Sequence, residues 1–407
     1  MFPAWRELRR TLRAILQIPP NQPAVCFGEQ SVGLWEPSVV LGKRVVAACL
    51  EEEIVAYDYQ AQTDVPGSEP GLNSVSLPNP FHDGGIERVS TLPERVNDIP
   101  TSNIPIKQFK KSDLLAALDK IYSKKNPRSQ QLKELIEKSL QQNLSIADFN
   151  DQLFTYFCEE IGLPRFPEVI DYEFDTFSFL NGGMELILLE YWDKIIESAC
   201  KTQANLGKTY CRVPEKNEAP FFIIVTNIPY PRARILWDRE RSVFWGVAPQ
   251  NPQKIVIPEI SFSELLSNVS EGKIKIAWRA IPRAIILATV FDGHISGGGA
   301  LYNKVVAPVF EELTGVAHYP IAFLSPINEE GEGVLQYRSA ACRKTDPPYL
   351  IEAQNAVKAN RVSLLDFYLS IKPKEARSVL TDFINSNRGC LPLSSRIEFP
   401  ANVFIHS

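Results

Sequence analysis

The sequence predicts a mixed α/β (α+β) protein: a C-terminal mixed-sheet α/β domain, a helical middle region and a small β-containing N-terminal region. Three observations carry this. Apolar residues between 106 and 210 recur every three or four positions. Beyond 211, short runs rich in β-branched and aromatic residues alternate with capped amphipathic stretches. The first 105 residues hold one amphipathic helix, two strand-like runs and a proline-dense connection. The expected divisions are therefore 1–105, 106–210 and 211–407.

At the N-terminus, Trp5, Leu8, Leu12 and Ile15 or Leu16 form one helical stripe, opposite Arg6, Arg9, Arg10 and Arg13. Pro19 and Pro20 end that helix. The continuous apolar core of a secretory signal is missing, so the helix is expected to dock on its own domain. Lys43–Leu50 and Glu53–Tyr59 read as a β-hairpin. From Gln60 to Pro105, seven prolines predict an irregular surface segment.

The middle region reads as successive helices. Leu114, Leu118 and Ile121 line the first, Leu132, Ile136 and Leu140 the second. Ser145 and Asp148 form a capping box ahead of Phe149, Leu153 and Phe157. A last helix runs from about Gly183. Between Lys107 and Lys138 there are nine basic and four acidic residues; between Asp148 and Glu197, two basic and twelve acidic. Solvated helix faces account for such an asymmetry; Lys110, Lys111, Lys124 and Lys125 are the candidates for contacting an anionic polymer. In PEVIDYEFDTF, Glu168, Asp171, Glu173 and Asp175 read as a solvated strand edge.

In the last region Phe221–Thr226, Val243–Val247, Lys254–Ile257 and Lys273–Trp278 are strand candidates. Ser261 and Glu264 cap a short helix. The apolar run Ala284–Phe291 reads as a buried strand, leading into Gly297, Gly298 and Gly299 and then an amphipathic helix. A strand follows near Ile321–Leu324, and a late helix is expected between Pro373 and Gly389.

That strand–loop–helix is the best chemical signal. Consecutive glycines let backbone N–H groups approach an anion closely, and a helix dipole adds to the attraction. It matches neither the dinucleotide fingerprint nor a Walker loop. Asp292, His294 and Ser296 supply the inventory of acid–base or nucleophilic catalysis. Arg232, Arg234, Arg279 and Arg283 supply guanidiniums suited to phosphate or carboxylate. A low-specificity glycine turn, His82-Asp83-Gly84-Gly85, completes the candidates.

Several classes are excluded. The longest apolar run is far below the roughly 20 residues of a membrane span. Four scattered histidines and seven widely spaced cysteines lack metal-ligand spacing, so no metal site is expected; the cysteines suit a reducing, cytoplasmic setting without disulfides. The sequence designates no cofactor. The leading expectation is an intracellular enzyme that binds a small anionic substrate at the glycine-rich loop and performs group transfer or hydrolysis. Two alternatives stand beside it. One is a non-catalytic assembly or adaptor protein using residues 107–138 or the proline-rich segment to hold a protein partner. The other is a nucleic-acid-associated factor using the basic stretch, against which the net charge of −5 weighs.

Overall fold

A computed structural model describes residues 1–30, 43–44, 47–48, 54–66, 74–78, 86–121, 127–160, 164–207, 209–225, 232–248, 251–296, 303–318, 321–327 and 395–400. It has mixed α/β content, with two larger sheets and one two-stranded pair among the described residues. The first is parallel and contains β1 (Ala24–Gln30), β2 (Val55–Ala61), β5 (Glu168–Ile170), β11 (Gly293–Ser296), β12 (Ile321–Ile327) and β13 (Ser395–Pro400). Their spatial order is β13-β12-β11-β1-β2-β5. The chain thus winds outward through β2 and β5 on one side of β1, and through β12 and β13 on the other side of β11. This is a doubly wound order, with its switch point between β1 and β11. Central β1 suits that position, since Ala24 to Phe27 are wholly buried.

This pairing corrects the expected hairpin. Most of the second run is strand β2, from Val55, but β2 pairs in parallel with β1 and β5. Lys43, Arg44, Ala47 and Ala48 are helical. Parallel neighbours need a crossover, so a local hairpin signal cannot report them. The proline-rich stretch is also more ordered than expected. It contains an antiparallel pair, β3 (Ser74–Pro78) and β4 (Ile86–Ser90). Single turns of 3₁₀ helix then start after Pro93, Pro100 and Pro105, where the fixed φ of proline prepares the turn.

The second sheet is antiparallel, in the order β10-β6-β7-β8-β9, built from β6 (Glu218–Ile224), β7 (Arg232–Asp238), β8 (Val243–Ala248), β9 (Asn251–Ser261) and β10 (Lys275–Trp278). Ala233 and Ile235 enter the core while Arg232 and Arg234 take the opposite face, as the alternation predicts. Trp237 is only partly buried and stacks on Phe244, with ring centroids 5.7 Å apart. Gly246 leaves no room for a side chain: an added Cβ would lie 2.8 Å from Ile257 Cβ and 3.0 Å from Ala233 Cβ. Gly246→Ala is therefore expected to lose about 1–3 kcal/mol of stability in a denaturant titration, with unchanged far-UV dichroism.

Helices cover both sheets: α1 (Pro3–Ile15), α2 (Lys111–Ile121), α3 (Pro127–Leu140), α4 (Ile146–Glu160), α5 (Asp171–Ser178), α6 (Trp192–Leu206), α7 (Phe262–Ser270), α8 (Ala280–Val290) and α9 (Asn303–Thr314). The capping boxes at Ser145 and Ser261 both form. A further helical segment, Phe179–Glu190, is broken at Asn181 and at Gly182, which takes φ of +103°.

Two expected strands are helices. The 284–291 run belongs to α8, which is buried nearly all round because it is packed against both α1 and α9. A helix without a polar face shows no 3.6-residue period, so an apolar run of eight residues looks the same in either form. Of PEVIDYEFDTF, only 168–170 is strand; the rest opens α5. Asp171 and Asp175 are then one helical turn apart and both fully buried.

The N-terminal helix docks through Trp5, Leu8 and Leu12. Its basic side is divided: Arg6 and Arg10 are exposed, but Arg9 and Arg13 turn inward. Arg9 donates to the carbonyls of Thr289 and Val290, at 2.7 and 3.0 Å, and Arg13 donates to Val290 O at 2.9 Å. These carbonyls end α8, so the two guanidiniums cap its negative pole. No helix among the described residues is long and apolar enough to cross a membrane.

Candidate functional site at the carboxyl edge of the parallel sheet

The sites suggested by the sequence fall into two groups. The first lies at the switch point. Cys26 on β1 is in register with His294 on β11 and Tyr57 on β2, and Gly28 with Tyr59. Register partners in a parallel sheet share a face, so these residues form adjoining rows on one side. His294 Nδ1 lies 3.2 Å from Cys26 Sγ. The imidazole rests against the Gly28 backbone: a Cβ added there would lie 3.5 Å from His294 Cε1, an ordinary contact. Lys43 donates its ammonium to the Gly28 carbonyl.

This environment sets the chemistry of both side chains. Burial, with smaller contributions from the charges of Lys43 and His318, pushes His294 down to about 3. The imidazole is neutral at pH 7 and is a weak base until negative charge arrives beside it. Burial pushes the Cys26 thiol up, so Cys26 is a packed thiol rather than a thiolate nucleophile.

Asp292 has other partners. Its carboxylate accepts from Arg9 at 2.7 Å, from Arg13 at 3.1 Å and from the Ala24 backbone N–H at 3.0 Å. It ties α1, β1 and the end of α8 together instead of orienting His294. Ser296 ends β11, in register with Phe323 of β12. Gly297, Gly298 and Gly299 lie outside the described residues, as do His82 to Gly85, Lys124, Lys125 and 373–389. The amphipathic helix expected after the glycines is α9, with Val305, Val309 and Leu313 buried.

The second group is an arginine cluster. Glu218, wholly buried at the start of β6, lies 2.9 Å from Arg212, 3.2 Å from Arg234 Nε and 3.5 Å from Arg279 Nη2. Arg279 occupies the N-cap position of α8 without capping it, and is anchored by an Nε bond to Ala219 O at 2.8 Å. Arg232 and Arg279 both lie over the Phe222 ring, 4.2 and 4.6 Å from its centroid. Burial pushes Arg279 down to about 10; Glu218 opposes this, while Arg212, Arg232 and Arg234 add to it. Four guanidiniums therefore feel one another.

Arg283 is drawn elsewhere. It contacts Asp175 at 2.5 Å and Asp171 at 3.4 Å. Burial works against its charge, but Asp175, Tyr59 and Asp171 outweigh it and raise the guanidinium further. Asp171 also accepts from Thr63 Oγ1 at 2.5 Å, and Arg232 donates to Thr63 O at 2.8 Å. Thr63 follows the carboxyl end of β2, so this network joins the arginine face of the antiparallel sheet to the carboxyl edge of the parallel one.

The sequence indicated His294 and four of the five arginines, but it missed Arg212, Glu218, Lys43 and Gly28. A lone glutamate or glycine within a strand carries no spacing signal. The alternation of Asp171, Glu173 and Asp175 suggested a strand, whereas Asp171, Phe174, Asp175 and Ser178 at helical spacing were the informative set. Among the described residues, no group of three or more His, Cys, Asp or Glu side chains is arranged to hold a metal ion. Lys111 of the basic stretch is paired with Glu137 at 3.1 Å. No protein-family model matches the sequence, and no curated protein matches it.

Proposed function

We propose that this protein binds a small anionic substrate, bearing phosphate or carboxylate, at the carboxyl edge of its parallel sheet, and performs group transfer or hydrolysis there. The observation that carries this reading is the doubly wound strand order. In such sheets ligands enter the crevice beyond the carboxyl ends of the strands, where the winding reverses. Here that point lies between β1 and β11, where Gly28, His294 and Lys43 meet, and the glycines 297–299 follow β11 in the sequence. Lys43 supplies positive charge. A neutral His294 beside it gains basicity when an anion offsets that charge, which suits proton transfer coupled to substrate binding.

Gly28 gives the direct test. A valine there keeps strand propensity but fills the space beside the imidazole. Thermal shift across carboxylates, phosphate, sugar phosphates and nucleotides is expected to find a ligand that stabilises the native chain. At 100 times its dissociation constant the gain is about 2.7 kcal/mol. Gly28→Val is expected to melt cooperatively and to lose this gain. A panel in which no ligand's stabilisation depends on residue 28 contradicts the reading.

A further inference from the structure

We propose that Arg212, Arg234 and Arg279, gathered on Glu218, form a second anion site, separate from the switch point, that takes a phosphoryl dianion. Three guanidiniums on one carboxylate leave two positive charges uncompensated among the groups that touch Glu218. Arg232, stacked on the same Phe222 ring, is bonded to Thr63 O and faces Asp64.

A purely structural role for Glu218 does not account for the cluster. Glu218 is already satisfied by two bonds from Arg212, at 2.9 and 3.1 Å, and by the Glu215 N–H at 2.9 Å. Arg279 Nη2 and Arg234 Nε are buried beside it without a hydrogen-bond partner. Leaving a buried donor unmade is costly, and two in one cluster, both charged, indicate a missing acceptor. The cluster also reaches the surface. Arg212 is 58% exposed and Arg234 21%, while Arg279 is almost wholly buried. An incoming group thus meets exposed guanidinium first and buried guanidinium behind it.

The ligand class follows from charge and shape. A carboxylate offers two oxygens and one charge; a terminal phosphoryl group offers three oxygens and close to two charges. Two uncompensated charges and two buried N–H donors without a partner match the second. The Phe222 ring holds two guanidiniums over it, which limits their freedom before binding.

Isothermal titration calorimetry with inorganic phosphate tests this, with acetate as the monoanionic control. Binding is expected to be tighter for phosphate than for acetate and to strengthen as the dianion forms with rising pH. It should weaken at least about tenfold in Arg212→Ala and in Arg234→Ala, a loss of about 1.4 kcal/mol or more. Arg212→Ala removes a largely exposed side chain, and Arg234→Lys keeps one charge without the fork, so one of the set retains the fold. Gly28→Val should keep the phosphate binding that Arg212→Ala and Arg234→Ala lose. Absence of phosphate binding at millimolar concentration, equal affinity for acetate, or affinities unchanged in Arg212→Ala and Arg234→Ala each overturn the proposal. Phosphate binding lost in Gly28→Val but kept in the arginine variants also overturns it, and leaves the switch-point reading standing. Loss in the arginine variants alone supports this site whatever ligand the switch point takes.

Discussion

Replacing His294 with glutamine is expected to make stability fall as pH rises from about 4 to 6.5, a window in which the native chain changes less. The native imidazole has its pKa pushed down to about 3, mainly by burial. An unfolded histidine titrates near 6.5. The unfolded chain therefore binds the extra proton first. His294 contributes its full stability above about pH 6.5 and loses it as pH falls toward 3, on the order of 4–5 kcal/mol over that window. Asp175 acts in the opposite sense. Burial pushes its carboxyl up to about 7, against the pull of Arg283. Its contribution is present below about pH 4 and is lost as pH rises toward 7. In the native chain the two slopes partly cancel between about pH 4 and 6.5. In His294→Gln the second stands alone, so urea midpoints should fall as pH rises through that window. Midpoints that still fall steeply on acidification would place the acid sensitivity in other groups.

Asp292→Ala carries the other large effect. The substitution leaves Arg13, with only 4% of its side chain exposed, and Arg9 without their common carboxylate. It also frees the Ala24 N–H, which opens the central strand. Breaking a buried pair on one side costs about 3–5 kcal/mol. The carbonyls at the end of α8 still accept from both arginines, so the lower part of that range is expected, near 3 kcal/mol. Removing the buried guanidinium as well, in Arg13→Met with Asp292→Ala, should restore part of the loss. Additive losses in this double-mutant cycle would show that the pair is not coupled.

The parts of the fold legible in the sequence were those fixed within one turn or one pleat. Capping boxes at Ser145 and Ser261 formed because cap and N3 residue meet within the same turn. Alternation in β7 put Arg232 and Arg234 on one face because the strand period is two. What failed depended on distant partners. β2 finds β1 and β5 rather than a local hairpin mate, and the wholly apolar α8 owes its form to α1 and α9 on either side. The inward turn of Arg9 and Arg13 follows from Asp292, nearly 280 residues away in the chain. The candidate site divides in the same way. His294 and the arginines announce themselves by residue type, whereas Gly28 and Glu218 matter only through neighbours that the chain brings to them.

The central claim is that anions enter beside His294 at the point where the sheet reverses its winding. The most direct measurement is an NMR titration of the His294 imidazole, assigned through His294→Gln, in the native chain and in Gly28→Val, with and without a ligand that stabilises the fold. Without ligand, the resonance should stay neutral to well below pH 6.5. With ligand, its pKa should rise by at least about one unit in the native chain, because a neighbouring anion offsets the charge of Lys43. Gly28→Val should show no such rise. A His294 resonance that is indifferent to every stabilising anion, at ligand saturation, contradicts the account.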